Sequence, residues 1–494
     1  MQAILLIITP LLPMICGAAC WFIPALDEQK PRNIFVTATL IVSFALTICL
    51  CLTGDGAATL FSITDSLPII MQSDAIGRLF ALLVGAMWLA VGIFSFGYME
   101  HEGSQRRFYT FYLLTLGTLY GITFAGTMVT MYLFFEMMTL LSLALVLHSM
   151  SKEAIAAGIK YLIYSIAGAM MGLLGIFFLS QHTTSALFIA GGSLSPDAAL
   201  GNQTLLLWIL LITVIGFGTK AGMFPMHGWL PTAHPAAPAP ASALLSGVIT
   251  KMGVLCIIRI IYYVVGADFM RGTWVQTVLL ILALITVFMG SMMAFKVKGL
   301  KKRLAYSTIS QVSYMLFGLF LLNEVAFSGA LLHVYFHSVI KNALFICAGA
   351  VIVKTGLTSV DDLRGIGKRM PITIWCFTIV SLGLVGVPPL SGFFSKWQLA
   401  QGSLSSGIAV FSWLGPVVLL VSALLTAAYL LPISINGFFP AKGEEGVAAV
   451  SYPSCEVGPS MYVPMIVLAV LTLLFGLCPS LLQAATTAIA SAVL

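Results

Sequence analysis

The chain of 494 residues is 60% apolar and only 8% charged, whereas about 25% of the residues in a soluble domain are charged. A soluble fold of this size cannot hide so much apolar surface, so the composition excludes a soluble enzyme. The net charge of +6 indicates no particular partner, because loop lysines and arginines usually report the topology of a membrane protein. The composition therefore predicts a polytopic membrane protein.

Hydropathy predicts fourteen apolar spans, each near the roughly 20 residues that a transmembrane helix needs. Long apolar runs with Gly and Pro favour helices over the alternating strands of a membrane β-barrel. The first span has no basic segment before it and is expected to be retained, not cleaved. The longest connections are 53–78, 180–204 and 433–463, and the first is predicted to hold a short hairpin. The predicted spans, numbered 1 to 14, are 3–24, 34–52, 79–99, 108–126, 128–148, 158–179, 205–225, 241–265, 274–295, 304–322, 325–353, 372–397, 407–432 and 464–484.

The distribution of basic residues predicts the orientation. Loops after odd-numbered spans, with the span ends beside them, hold sixteen of the 23 Lys and Arg, among them Lys442. Loops after even-numbered spans hold two. Since Lys and Arg accumulate in cytoplasmic loops, we predict a protein of the cell membrane with both termini outside.

Several charged side chains fall within apolar spans. Each costs at least about 2.5–3.5 kcal/mol at a span centre, so we expect them to face the bundle interior, paired or hydrated. Lys160 and Arg259 are interpreted instead as snorkelling side chains near span ends. Snorkelling does not fit Glu136, whose neighbours from Met128 to Leu147 are almost wholly apolar, although a structural salt bridge remains its alternative. The charges placed in the interior are Glu136, Lys220, Lys251, Lys341 and Lys396.

A line of titratable residues is predicted on span 11. His333, His337 and Lys341 are spaced i, i+4 and i+8, which places them on one helix face over two turns. A metal site is not favoured, because the third member is a cation and no Cys or acidic residue shares the face. The row predicts a proton relay. A carboxylate such as Glu136 would favour the protonated form of a neighbouring lysine, and separating the two would favour proton release.

Helix breakers interrupt spans 7 and 12. Span 7 carries Lys220 and ends at Pro225, and span 12 carries Pro388, Pro389 and Lys396. Proline interrupts helical hydrogen bonding, and such breaks survive at membrane depth only beside protein or a water-filled cavity. Because the two spans lie five apart, a repeat of spans 4–8 onto spans 9–13 must be inverted in the membrane, which is the architecture of secondary ion transporters.

The predicted fold is therefore all-α, with about fourteen transmembrane helices and two inverted five-helix repeats in which helices 7 and 12 are broken. Spans 1–3 occupy residues 1–107. The first repeat covers 108–265 and the second covers 274–432. The last loop and span 14 occupy 433–494.

Specific motifs lie at 134–138 (FFEMM), 160–165 (KYLIYS), 220–231, 233–247 (AHPAAPAPASALLSG), 333–342, 362–365 (DLRG) and 388–397. Through these motifs, residues 70–435 resemble the antiporter-like, proton-conducting subunits of respiratory complex I, energy-converting membrane-bound hydrogenases and Mrp-type cation/proton antiporters. The 233–247 stretch looks most like the hydrogenase type, which is linked to ferredoxin. An Mrp-type Na⁺/H⁺ antiporter and a complex I-like NADH/quinone dehydrogenase remain the alternatives.

The resemblance implies a role for each interior residue. Glu136 would pair with Lys220 and gate proton loading of the central Lys251 from the cytoplasm through broken span 7. Protons would then pass along the span 11 residues, with His337 and Lys341 before Lys396, and leave on the outer side. The implied pathway residues are Glu136, Lys220, Lys251, His333, His337, Lys341 and Lys396.

We expect no metal and no cofactor in this chain. Its nine cysteines include no C-x-x-C pair and are interpreted as small core residues. Moving one charge against 100 mV costs about 2.3 kcal/mol, so partners must supply the energy. The expected partners are other membrane subunits and peripheral redox subunits that hold iron–sulfur clusters and a nickel–iron centre, with no nucleic acid. The chain itself performs no redox chemistry on this interpretation.

Overall fold

The structure is a computed structural model, and it describes residues 2–64, 67–440 and 455–494. Helices dominate these residues, which confirms the predicted all-α polytopic fold. The helices are α1 Gln2–Phe22, α2 Gln29–Thr53, α3 Ala75–Met99, α4 Gln105–Thr123, α5 Met128–Val146, α6 Lys152–Ser180, α7 Pro196–Gly201, α8 Gln203–Ala221, α9 Leu230–Ala236, α10 Ala239–Val265, α11 Ala267–Met270, α12 Trp274–Lys296, α13 Leu300–Phe320, α14 Glu324–Thr355, α15 Pro371–Val385, α16 Ser391–Leu404, α17 Ala409–Phe438, α18 Pro459–Leu477 and α19 Ser480–Val493.

Within the described residues, eleven helices are long and apolar enough to cross a membrane. The predicted spans 4, 10 and 12 are also helical, as α4, α13 and the pair α15 and α16. These helices are too polar or too short to count among the eleven that could cross a membrane by length and composition. The number of fourteen crossings therefore remains a prediction. The division into two inverted repeats and the outward position of the termini remain predictions as well.

The predicted loops differ in how far the structure describes them. The loop after α2 contains the expected hairpin, in which β1 Gly56–Thr64 pairs antiparallel with β2 Leu67–Ser73. The loop between α6 and α8 contains the short helix α7. Residues 441–454, which include Lys442 and part of the predicted loop 433–463, lie outside the described residues.

Two interruptions divide helices at the positions that the sequence predicts. Helix α8 ends where Gly222 adopts a φ of 80°, and the chain becomes helical again at α9. Helix α15 ends where Gly386 adopts a φ of 92°, and α16 follows. Glycine accepts these left-handed conformations without steric cost. In each case a proline, Pro225 or Pro389, follows three residues later and cannot donate a backbone N–H to a continuing helix.

A close contact holds the two half-helices of the second interruption together. A Cβ atom on Gly392 would lie 2.0 Å from the carbonyl oxygen of Gly383. We expect Gly392→Ala to push α16 away from α15 and to destabilise the protein by about 1–3 kcal/mol, as overpacking does in a close-packed core. Thermal unfolding of the purified protein in detergent measures this loss. Gly458→Ala is the control, because nothing lies within 4 Å of its added Cβ, and equal unfolding temperatures would contradict the prediction.

The two most buried helices, α10 and α14, cross the centre of the bundle. Helix α14 is a continuous helix of 32 residues. Helix α10 packs against it so closely that a Cβ on Gly247 would lie 2.1 Å from Nδ2 of Asn342. On its other side, a Cβ on Gly253 would lie 3.1 Å from Cβ of Lys220 in α8. Small residues permit such approaches between membrane helices, and they bring the interior charges of three helices together.

Candidate functional site

Lys220 occupies the last turn of α8 and is 1% exposed. Its Nζ donates hydrogen bonds to Thr139 Oγ1 at 2.9 Å, Tyr161 Oη at 2.6 Å and Ser165 Oγ at 3.3 Å. The same nitrogen lies 4.3 Å from the centroid of the Tyr161 ring, which adds a cation–π attraction. Helices α5 and α6 therefore hold this lysine by hydroxyl groups.

The implied pair of Glu136 and Lys220 does not form a direct contact in this structure. Among the described ion pairs, none within 4.0 Å joins these two side chains. Because an ammonium has three N–H donors, the three hydroxyl acceptors already satisfy Lys220. Oε1 of Glu136 is buried and has no hydrogen-bond partner, and the two charges interact through space only.

Lys251 is fully buried in α10, two residues after the end of a π-helical turn over Leu245–Ile249. Such turns break the regular ladder of helix hydrogen bonds and occur frequently at functional sites. The Lys251 Nζ donates to the carbonyl oxygen of Ser246, which also accepts from Thr250 Oγ1 at 2.9 Å. No carboxylate among the described residues forms an ion pair with this lysine.

Two consecutive hydroxyl residues of α13 connect the surroundings of Lys251 with those of Lys341. The Lys341 Nζ donates to Ser307 Oγ at 2.7 Å and to the carbonyl oxygen of Leu304 at 3.1 Å. The next residue, Thr308, shares a hydrogen bond of 2.6 Å between its Oγ1 and Oγ of Ser246. Neither hydroxyl was predicted from the sequence. The available signal was the dense polar run from Tyr306 to Tyr314 in an otherwise apolar span.

The histidines continue the line along α14. The rings of His333 and His337 are 5.8 Å apart between centroids, and Nδ1 of His333 lies 2.9 Å from Ser395 Oγ. Both ring nitrogens of His337, Nε2 of His333 and both amide atoms of Gln311 are buried without a protein partner. Buried polar groups are almost always hydrogen-bonded to protein or ordered water. This part of the interior is therefore expected to be hydrated.

Lys396 connects the line to the second helix interruption. It is partly buried on α16, and its Nζ donates to the carbonyl oxygens of Leu384 at 2.6 Å and Val385 at 3.0 Å. These carbonyls end α15, where a helix leaves acceptors unpaired and carries partial negative charge. Both lysines therefore lie at a helix interruption, but Lys220 precedes its interruption and has hydroxyl partners, whereas Lys396 follows the other one and has carbonyl partners.

The structure shows where each residue of α14 lies relative to Lys396. In the structure His333 lies next to Lys396, because its ring bonds to Ser395, whereas Lys341 lies beside Ser307 at the other end of the row. Lys251 is within electrostatic range of both Lys341 and His337. Lys251 therefore lies beside the row formed by Lys341, His337 and His333, and the His333 end of that row is next to Lys396.

Two interpretations from the sequence are wrong. Arg259 does not snorkel, because it is 1% exposed and both its terminal nitrogens donate to the carboxylate of Asp74, with 2.9 Å between Nη2 and Oδ1. Its guanidinium also lies 5.0 Å from the ring centroid of Phe188. The cysteines are not all core residues, since Cys49 and Cys478 are exposed.

The helices, the two interruptions and the buried titratable line define an antiporter-like membrane protein. Residues 125–426 match the family described as NADH:quinone oxidoreductase/Mrp antiporter, TM. The chain belongs to this family, which confirms the resemblance.

Curated relatives and a solved structure agree with this assignment. NADH-quinone oxidoreductase subunit N of Desulforudis audaxviator is 35% identical over 405 residues, covering 80% of this chain and 79% of that protein. One of the Na(+)/H(+) antiporter subunits of Bacillus subtilis is 30% identical over 410 residues, covering 83% of this chain and 80% of that protein. A chain in the structure of the Mrp complex from Dietzia sp. DQ12-45-1b has the same fold, with a TM-score of 0.85 at 21% identity, covering 99% of this chain and 97% of that one.

Proposed function

We propose that this chain translocates protons along the interior line from Lys220 to Lys396 as a subunit of a larger membrane complex. The observation that supports the proposal is the row of buried lysines and histidines between Lys220 and Lys396. Lys251 and Lys341 are fully buried and have only hydroxyl and carbonyl partners. A scaffold would gain nothing from such lysines, since each costs at least about 2.5–3.5 kcal/mol at membrane depth when charged.

Repulsion between neighbouring cations would drive the proton forward. Lys251, Lys341 and His337 lie within electrostatic range of one another. Two positive charges repel strongly in a medium of low dielectric constant, so a proton arriving on one group favours release from the next. A neutral imidazole accepts a proton on one ring nitrogen and releases the other nitrogen's proton. The two unpartnered nitrogens of His337 suit this exchange.

The transported ion is proposed to be H⁺. A Na⁺ site requires several oxygen ligands, preferably including carboxylates. Glu136 is the only carboxylate that the sequence places within an apolar span. The hydroxyl groups near Lys220 and Lys341 are engaged by ammonium donors, which would repel a second cation. Sodium exchange would then take place in a partner subunit.

The driving reaction distinguishes three types of complex. The sequence resemblance favours a ferredoxin-linked, energy-converting hydrogenase with iron–sulfur and nickel–iron partners. The names of the two curated relatives support a quinone-reducing dehydrogenase and a Na⁺/H⁺ antiporter equally. We therefore propose the common activity, proton translocation by an antiporter-like subunit, and leave the partner set to experiment.

Mass spectrometry of the gently purified native complex identifies the partners. Nickel–iron and iron–sulfur subunits would support the hydrogenase type, and subunits of an NADH or quinone dehydrogenase would support the complex I-like type. Small membrane subunits without redox centres would support the antiporter type. In each case, sealed vesicles with the complex should move protons under its driving force. Vesicles that move none under redox substrates or a Na⁺ gradient would overturn the proposal.

A further inference from the structure

A surface pocket lies beside the second half of the proton line and has no role in the pathway described above. Its volume is about 160 Å³. Helices α13 and α17 and the loop that follows α14 form its walls. The polar residues that line it are Arg303, Asp361, Arg364, Tyr429 and Asn436.

Tyr429 connects this pocket to the interior. It lines the pocket, and its hydroxyl donates to Ser307 Oγ at 2.7 Å. Ser307 Oγ in turn accepts from the Lys341 Nζ at 2.7 Å. The hydroxyl groups of Tyr429 and Ser307 thus connect the pocket lining to a fully buried lysine. Arg303 fixes this arrangement, because its Nη1 donates to the carbonyl oxygen of Tyr429 at 2.8 Å and its Nε to that of Val297 at 2.9 Å.

We propose that the pocket is a second access port, through which a proton reaches Lys341 without passing Lys220 and Lys251, and that each transport cycle needs this proton as well as the one that Lys251 carries. This inference rests on the proposed function. In the transfer, a water molecule in the pocket gives a proton to the Tyr429 oxygen as the original phenolic hydrogen moves to Ser307, and the hydroxide that remains leaves to the bulk solution. The hydrogen of Ser307 moves to the neutral amine of Lys341. One proton enters, one ammonium forms, and rotation of the two hydroxyls restores the starting arrangement.

The charges of the port suit a proton better than a metal cation. Its lining holds the guanidinium groups of Arg303 and Arg364 and the carboxylate of Asp361. Asp361 forms an ion pair of 2.8 Å with Lys298, and that hydrogen bond lowers the pKa of the carboxyl group, so it stays ionised. The excess of positive charge disfavours a hydrated Na⁺ ion in so small a space. A proton passed by hydroxyl exchange needs no cation to occupy the pocket.

Removal of the tyrosine hydroxyl tests the connection. We expect Tyr429→Phe, in the assembled complex in sealed vesicles, to lower the initial rate of proton translocation about tenfold, less than the full loss of a proton-transfer group because water can partly replace it. Ser307→Ala should lower the rate similarly. Tyr112→Phe is the matched control, since its hydroxyl also forms a buried hydrogen bond, of 2.6 Å to the Trp88 carbonyl, away from the line. An unchanged rate in Tyr429→Phe would overturn the port.

Chemical blocking separates a port from a structural role for the tyrosine. Asn436→Cys introduces a thiol into the pocket lining, and a membrane-impermeant trimethylammonium methanethiosulfonate can modify it from that face. We expect modification to lower the translocation rate at least fivefold and dithiothreitol to restore it. The same treatment should leave the rate of the chain without the introduced thiol unchanged, because the exposed Cys49 and Cys478 do not line the pocket. Complete modification with no loss of rate would overturn the port. Failure of the proposed function is distinguishable, because unmodified wild-type vesicles would then move no protons.

Discussion

Replacement of Lys251 by alanine is expected to abolish proton translocation, with a loss of at least about 10²-fold, as when a positioned proton-transfer group is removed. Lys251 is fully buried at the meeting point of α8, α10 and α14 and lies within electrostatic range of Lys341 and His337. The other two buried lysines near that junction, Lys220 and Lys341, lie on α8 and α14. The measurement is the initial rate of pH change, reported by a pH-sensitive dye, in sealed vesicles with the complete complex.

A second substitution at position 251 tests whether the site needs a group that can release its proton or only a positive charge. Lys251→Arg keeps a positive charge, but guanidinium does not release its proton in proteins, so this variant should also be inactive. Neither change removes a partner of a buried carboxylate, and alanine avoids the cost of burying a cation. The alanine complex should therefore assemble, and gel filtration of both variants separates loss of transport from loss of assembly. Lys152→Ala, at an exposed position at the start of α6, is the control. Translocation by Lys251→Ala at the wild-type rate would exclude this lysine from the path.

The interior charges could be predicted from the sequence because their cost at membrane depth is large and local. Lys220, Lys251 and Lys341 each interrupt an apolar run, and that alone places them inside the bundle. The interruptions at Pro225 and Pro389 were predictable for the same reason, since proline and glycine act on the backbone of their own segment. Tertiary packing does not alter either effect.

The hydrogen-bond partners of these charges could not be predicted, because they depend on which helices pack against one another in the folded bundle. Serine and threonine commonly bond to the backbone of their own helix, so nothing in the sequence distinguishes Ser307 from an ordinary helical serine. Its contact with Lys341 exists because α13 lies against α14. Glu136 presents the converse case. The Glu136 carboxylate does not contact Lys220, because three hydroxyl oxygens from α5 and α6 already accept the hydrogen bonds of the lysine ammonium.

Arg259 shows how hydropathy misleads when the partner is distant. Near the end of span 8 a lone arginine is typical of a snorkelling side chain. Its partner, Asp74, lies 185 residues away, after the hairpin that precedes α3. The carboxylate also accepts a hydrogen bond of 2.9 Å from the backbone N–H of Gly77 and so caps α3. One side chain thus joins the N-terminal helices to the helix that carries Lys251.

This pair supports the second large prediction. Asp74→Ala leaves a guanidinium that is 1% exposed without its anion, and breaking a buried pair in this way costs about 3–5 kcal/mol. Arg259→Met should cost less, because Asp74 is 14% exposed and keeps its role as the α3 cap. The double variant should be more stable than Asp74→Ala alone, since it removes the uncompensated charge. Thermal unfolding in detergent provides the ranking.

A double-mutant cycle then isolates the interaction of the two side chains from their other contacts. Arg259 follows Lys251 on α10 by two helical turns. The ion pair of Arg259 with Asp74 therefore also fixes the position of Lys251 along the bundle. For that reason Asp74→Ala should slow proton translocation even in the fraction that remains folded, and Arg259→Met should slow it less. If Asp74→Ala and Arg259→Met destabilise the protein equally, the greater burial of Arg259 does not make the loss of Asp74 the costlier change. If both unfold like the wild type, the ion pair does not anchor α10, and the packing of Gly247 and Gly253 alone positions Lys251.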